Sequence, residues 1–273
     1  MSEEQVVETP VKKAKKTSFK DILAGVSELN KQQMVSVYVP SMNDEIKFKP
    51  LTVKQQKLIL SSGVDTEIEN LAFNNATNSI ILENCLSSKN KITLIDKPII
   101  LLQLRQNAVG ETLKITDGDN EHAVNINEHV QALRDSIKGD SELTFKVESD
   151  GVTIEGVVPT LDIDTKYNKQ FTKSVKKSNK RDLTLSDVVG DIYIHEMVKY
   201  VKTISIGDNT LQLDDNVSVE QTINVFESLP MTISNKVATA IKNVRDIEIR
   251  SLDSSNLPDG VQINIDASIF AAE

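Results

Sequence analysis

The residues of this sequence that could do chemistry are three histidines, one cysteine and a few close acidic pairs. His122 and His129 stand seven apart with Glu121 and Glu128 beside them, a set able to offer nitrogen and oxygen ligands to a metal ion. The residues between them read as an irregular turn, so the two rings share no helix face. His195-Glu196 lies in a helical stretch, but Lys199 and Tyr200 occupy the later positions and H-E-x-x-H is absent. Cys85, alone in the chain, can form neither an intrachain disulfide nor a multi-cysteine zinc site, and reads as a small core residue. Asp162/Asp164 and Asp214/Asp215 could face a hard cation. The first pair reads as the acidic first turn of a helix after Pro159, the second as a loop. Neither G-x-x-x-x-G-K-[ST] nor G-x-G-x-x-G occurs, and no Ser-His-Asp or Cys-His arrangement is recognisable. The expectation is a protein that is not an enzyme, with no metal and no cofactor. A polar pocket with converging carboxylates is the feature that would reopen a hydrolase reading.

Charge offers more than catalysis does. The chain has 31 basic and 40 acidic residues, a net charge of −9. Seven of the basic ones, Lys166, Lys169, Lys173, Lys176, Lys177, Lys180 and Arg181, fall in 166–181, where there is no acidic residue. Removing those seven leaves 24 basic residues against 40 acidic ones. So local an excess on an acidic chain reads either as a solvated helix end or as a docking surface for an acidic protein. These seven are the expected partner-binding residues. A second cluster, Lys12, Lys13, Lys15, Lys16 and Lys20, lies near the N-terminus. The alternative is a nucleic-acid-associated accessory protein using 12–20 and 166–181. An acidic chain with no aromatic residue after Phe171 in the second run supports it poorly.

These residues must be positioned by elements that the apolar spacing outlines. Residues 1–17 are polar and lysine-rich and read as a disordered tail. Phe19, Ile22, Leu23 and Val26 then recur at helical spacing over 18–29, marking a helix that folds back on its own core or docks on a neighbour. Val35, Val37 and Val39 alternate and pair with a strand through Ile46 and Phe48. Thr52 with Gln55 forms a capping box for a helix from Val53 to about Leu60. A further helix covers 67–86, with Ile68, Leu71, Ala72, Asn75, Ser79, Leu82 and Leu86 on a partly buried side. The longest apolar run, Ile99-Ile-Leu-Leu102 with Leu104, follows a cap at Asp96 and Pro98 in the first turn, and Gly110 ends it. Its apolar surface is too wide for an exposed helix, so a buried helix over 97–109 is expected.

Hairpins are expected at 111–116/122–127, at 143–147/152–157 around Asp150-Gly151, and at 204–206/211–213. Helices are expected at 128–137, 162–177, 185–200, 219–228 (capping box Ser218/Gln221) and, after Leu229-Pro230, 232–250. Val261, Ile263 and Ile265 alternate as a final strand. The fold class is therefore α+β: helices packed on small antiparallel sheets in two lobes. The expected division is a basic tail 1–17, an N-terminal lobe 18–160 holding the buried helix, and a mainly helical C-terminal lobe 161–273. No run reaches the roughly 18 apolar residues that span a bilayer, and the first residues lack a signal-peptide apolar stretch.

Several landmarks, in order, resemble the T4-like bacteriophage baseplate hub family. They are Phe48-Lys-Pro-Leu-Thr-Val53, the apolar helix ending in L-R-x-x-x-x-G at Leu104, Arg105 and Gly110, the sheet from Leu143 to Pro159, and the closing helices broken at Leu229-Pro230. The resemblance covers about 46–270. It implies a structural or assembly protein of a contractile phage tail, taking part in baseplate hub formation through contacts with other baseplate or tail proteins. It also implies a location in the virion tail baseplate, or in the host cytoplasm during assembly. Nucleic acid, membrane and small-molecule partners are not implied. Family members can carry Cys-x-x-Cys in the hairpin after the apolar helix; here the loop is Asp117-Gly-Asp-Asn-Glu121, which removes any zinc role there. The first 45 residues look like an extension.

Overall fold

A computed structural model describes residues 18–63, 69–137, 143–177, 185–213 and 217–271. The segment 1–17 lies outside the described residues. Ser18 opens the description with a reciprocal cap: its hydroxyl accepts from the Asp21 amide at 3.2 Å, and the Asp21 carboxylate accepts from the Ser18 N–H at 3.0 Å. This starts α1 (Phe19–Gln32). Strands β1 (Val35–Val39) and β2 (Asp44–Phe48) then pair antiparallel, Val37 opposite Ile46. The Thr52/Gln55 capping box begins α2 (Val53–Ser62), followed by α3 (Glu69–Asn84) and α4 (Lys97–Ala108).

Hairpin β3 (Thr112–Asp117) and β4 (Asn120–Asn125) leads into α5 (Ile126–Ser136), whose cap is the Asn125 side chain. A second hairpin, β5 (Thr144–Ser149) and β6 (Val152–Val157), turns on Asp150 and Gly151. Both have positive φ, 51° and 77°, as a two-residue turn matching strand twist requires. After α6 (Leu161–Lys177) and α7 (Leu185–Val198), the hairpin β7 (Val201–Ile206) and β8 (Asn209–Gln212) joins β6. Among the described residues the result is one four-stranded sheet in the order β5-β6-β7-β8 beside two two-stranded ones. Helices α8 (Val219–Glu227), α9 (Met231–Val244) and α10 (Asp246–Leu252) complete an α+β fold of helices on small antiparallel sheets.

Two apolar clusters hold these elements. The first surrounds α4, where Ile99 to Leu102 and Leu104 are all 0% exposed. It gathers Val37, Val39 and Phe48 from the first hairpin, Ile80 and Ile81 from α3, Leu113 and Val124 from the β3–β4 hairpin, and Ile263 and Phe270 from the C-terminal stretch. Burying side chains of this size stabilises by about 1.5–3 kcal/mol each. The second cluster lies between the four-stranded sheet and α8, α9 and α10, with Ile154, Ile204, Phe226, Ile233 and Val237 at its centre. Leu94 and Ile137 pack against both.

Three local expectations change and one holds. The Asp96 side chain does not cap α4. It accepts from the backbone and hydroxyl of Thr93 (2.8 and 2.7 Å) and of Ser41 (2.7 and 2.8 Å), tying the β1–β2 turn to the helix start. The α3 stripe through Leu71 and Leu82 is only partly buried, as its polar members suggested; the buried side is Phe73, Thr77, Ile80, Ile81 and Asn84. Polar residues sit there because partners reach them: Thr77 donates to the Phe73 carbonyl, and Asn84 exchanges bonds with Gln55. The long helix expected over 232–250 is two helices, parted at Arg245, which forms an ion pair with Glu248 at 2.7 Å. Finally, 261–265 is not a strand. Ile263 is buried and its amide reaches the Leu252 carbonyl at 2.8 Å, so this stretch packs on α10 instead of joining a sheet.

Candidate interaction surfaces

The expected basic surface begins on α6. Lys166, Lys169 and Lys173 are exposed, and their spacing of three and four sets them along one face. Lys176 and Lys177 lie in the last turn of α6, with side chains outside the described residues, and Lys180 and Arg181 are also outside them. Lys166 also edges a hollow of about 240 Å³ that it shares with Tyr167, Lys199 and Lys202. The structure thus brings three of the seven expected residues onto one outward face.

Beneath that face the same helix buries a charge. The Asp164 carboxylate accepts from Lys199 Nζ at 2.7 Å, Asn78 Nδ2 at 2.7 Å and Asn168 Nδ2 at 3.0 Å. Burial alone pushes this carboxyl up; the Lys199 charge and hydrogen bond, the Asn78 amide and the Lys97 charge together hold it below its ordinary value. Lys199 also meets Glu196 at 2.6 Å. Lys97, at the start of α4, is buried without a carboxylate within ion-pair distance among the described residues; its ammonium donates to the Asn74 side chain at 2.8 Å. Burial lowers its pKa to about 8, partly offset by Asp164. The Glu196–Lys199 pair was readable from its i,i+3 spacing, but Asp164 and Lys199 are 35 residues apart and meet only through the fold.

These groups line a cavity of about 470 Å³ with Arg245, Glu248 and Asn264. Three carboxylates do converge there, the feature that would reopen a hydrolase. Each one, however, is already held: Asp164 and Glu196 by Lys199, Glu248 by Arg245 at 2.7 and 3.0 Å. Asp164, held below its ordinary value, makes a poor general acid, and the lining offers no hydroxyl or thiol nucleophile. The arrangement is suited to cross-linking α4, α6, α7 and α10.

The other residues singled out for chemistry are dispersed. His129 is buried on α5 with Nε2 2.8 Å from the Ser251 carbonyl, while His122 lies on β4. His195 stands edge-to-face with Phe171, ring centroids 4.9 Å apart. Burial lowers its pKa, against Asp191 and Glu196. Cys85 is buried, its thiol raised by burial and donating to the Ser87 carbonyl. Among the described residues no group of three or more His, Cys, Asp or Glu could hold a metal ion. Nor is any described helix long and apolar enough to cross a membrane. The Asp214/Asp215 pair lies outside the described residues.

Of the two arrangements expected for the first helix, folding back on the core or docking on a neighbour, the structure bears on the first. The apolar face of α1 is turned to solvent: Phe19, Ile22, Leu23, Val26 and Leu29 are 47 to 75% exposed. Folding back on the core is not what the helix does.

The fold is that of an α+β protein with a buried Asp164–Lys199 ion pair, an exposed row of lysines on α6 and an exposed apolar stripe on α1. Residues 31–252 match the family described as T4 bacteriophage base plate protein. The chain belongs to this family, and is a structural protein of the phage baseplate in the virion tail. No curated protein and no solved structure matches the chain.

Proposed function

We propose that this protein takes part in forming the baseplate hub of a contractile tail, as a hub component or as a factor in its assembly. It acts by protein–protein contacts and catalyses no reaction. The observation that carries this reading is the family match, which runs from the end of α1 through α10 and takes in all of the second apolar cluster and most of the first. The lysines of α6 support it, since a basic face on an acidic body orients an encounter with an acidic neighbour and speeds it. Lys166, Lys169, Lys173, Lys176, Lys177, Lys180 and Arg181 form the proposed partner-binding segment. Assembly of the particle takes place in the host cytoplasm in this account.

Deletion of the gene tests the proposal. It predicts infected cells that accumulate incomplete baseplates and no contractile tails; complete tails would contradict it. The triple change Lys166→Glu, Lys169→Glu, Lys173→Glu probes the surface. It should slow incorporation into baseplates by tenfold or more at low salt, and the deficit should shrink as salt screens the pair. Binding to duplex DNA that weakens steeply with salt and vanishes in the triple variant would instead favour a nucleic-acid role.

A further inference from the structure

We infer that α1 is a docking helix for another protein of the tail, whose binding groove has an apolar floor and an acidic end where the helix begins. This rests on the baseplate reading and names a contact within it.

A helix of 14 residues is marginal in water by itself, and most helices gain stability by burying an apolar face. In α1 that face exists and, among the described residues, nothing covers it: all five of its large apolar residues are exposed. Its start is nevertheless specified by the Ser18/Asp21 reciprocal cap, so the sequence encodes a helix there. The family match begins at residue 31, so nearly all of α1 precedes the part of the chain that the family shares. Neither apolar cluster includes a residue of α1. The body is thus built without this helix, which is present, capped and uncovered.

The pattern of the face selects the occupant. Phe19, Ile22, Leu23 and Val26 stand at i, i+3, i+4 and i+7, the anchor spacing of a helix lying in a groove. With Leu29 they span an arc of about 120°, taking roughly 100° per residue. That is wider than the two-position seam of a paired coiled coil, so a second copy of α1 would leave part of the stripe wet. The carboxylates Asp21 and Glu28 fall on the opposite side and do not oppose an acidic rim. Lys12, Lys13, Lys15 and Lys16 precede the cap by no more than six residues in the sequence. Whatever receives Phe19 is therefore separated from each of these four lysines by no more than roughly 25 Å of backbone, at about 3.5 Å of chain per residue. Charge complementarity places acidic side chains at that end of the groove.

The test uses the full chain and baseplate intermediates purified from an infection lacking this gene. A photo-reactive phenylalanine analogue is placed at Val26, in the stripe, or at Ala24, on the opposite side, and cross-linked peptides are identified by mass spectrometry. The expected result is cross-links from Val26 concentrated on apolar residues of one other tail protein, with Asp or Glu nearby, and few from Ala24. In parallel, Ile22→Asp with Val26→Asp should weaken binding to the intermediates by at least tenfold without changing the melting temperature. Ile22→Ala with Val26→Ala keeps a good helix former and should weaken binding in the same direction. Cross-links to a second copy, equal yield from both sides, or capture by anionic vesicles in place of the intermediates would overturn the inference. So would variants that bind like the parent. If the unmodified protein fails to bind the intermediates at all, the baseplate reading itself fails, a different result from variants that bind normally.

Discussion

Helices α1 and α4 are both rich in large apolar residues, and the chain treats them in opposite ways. In α4 the five such residues lie entirely out of water, and the side chains of Lys97, Gln103 and Arg105 are drawn in with them. Gln103 receives the Tyr38 amide at 2.8 Å and donates to the Tyr38 carbonyl at 2.9 Å, closing the free edge of β1 as another strand would. Arg105 donates to the Ile269 carbonyl at 3.1 Å and to the Gly110 carbonyl, tying the helix end to the C-terminal stretch. In α1 the apolar residues touch water, and the Asp21 carboxylate caps the helix start. Apolar content therefore does not define the inside of this molecule. What separates the two helices is whether the rest of the chain supplies partners for their polar groups as well.

The comparison is broken or sharpened by substitution, beginning inside α4. Leu101→Ala removes a side chain fully enclosed in the first cluster and should cost about 3 kcal/mol in urea unfolding. A cost under about 1 kcal/mol would mean that the α4 surroundings collapse freely. Gln103→Leu keeps the volume but strands a buried amide and carbonyl of Tyr38; about 2 kcal/mol should be lost. Next comes Lys97→Met, with the opposite sign. A lysine whose pKa falls to about 8 on folding is penalised while charged, so the replacement should stabilise at pH 7 by roughly 1–2 kcal/mol. Between about pH 8 and the ordinary lysine value of 10.5 the unfolded chain holds the proton more tightly than the folded one. Stability of the parent protein should therefore rise with pH across that window, and the advantage of the variant should shrink by pH 10. Denaturation at pH 7 and pH 10 measures both. Smallest of all, Ile22→Ala or Val26→Ala should shift unfolding by less than about 0.5 kcal/mol, because neither side chain packs on the body.

What the sequence made legible was local. The Thr52/Gln55 and Ser218/Gln221 boxes, the Asp150-Gly151 turn and the stop at Gly110 (φ 138°) each depend on residues a few positions apart. What it hid depends on distant partners. The alternation of Val261, Ile263 and Ile265 reads as a strand, yet the chain there meets α10 and not a sheet edge. Asp96 has the right position for a helix cap, but Ser41, 55 residues away, claims it. Of the proposed docking surfaces, the α6 lysines were visible as a run without acidic residues. The apolar stripe of α1 was visible too, but its periodicity left folding back and docking both open, because an amphipathic pattern does not say what covers it.

Amide hydrogen exchange, followed in the free protein and in assembled baseplates, compares the two helices directly. The account predicts that α4 amides are protected in both states, while α1 amides exchange rapidly in the free protein and become protected on assembly. Protection of α1 matching that of α4 in the free protein, or α1 exchange unchanged by assembly, would contradict it.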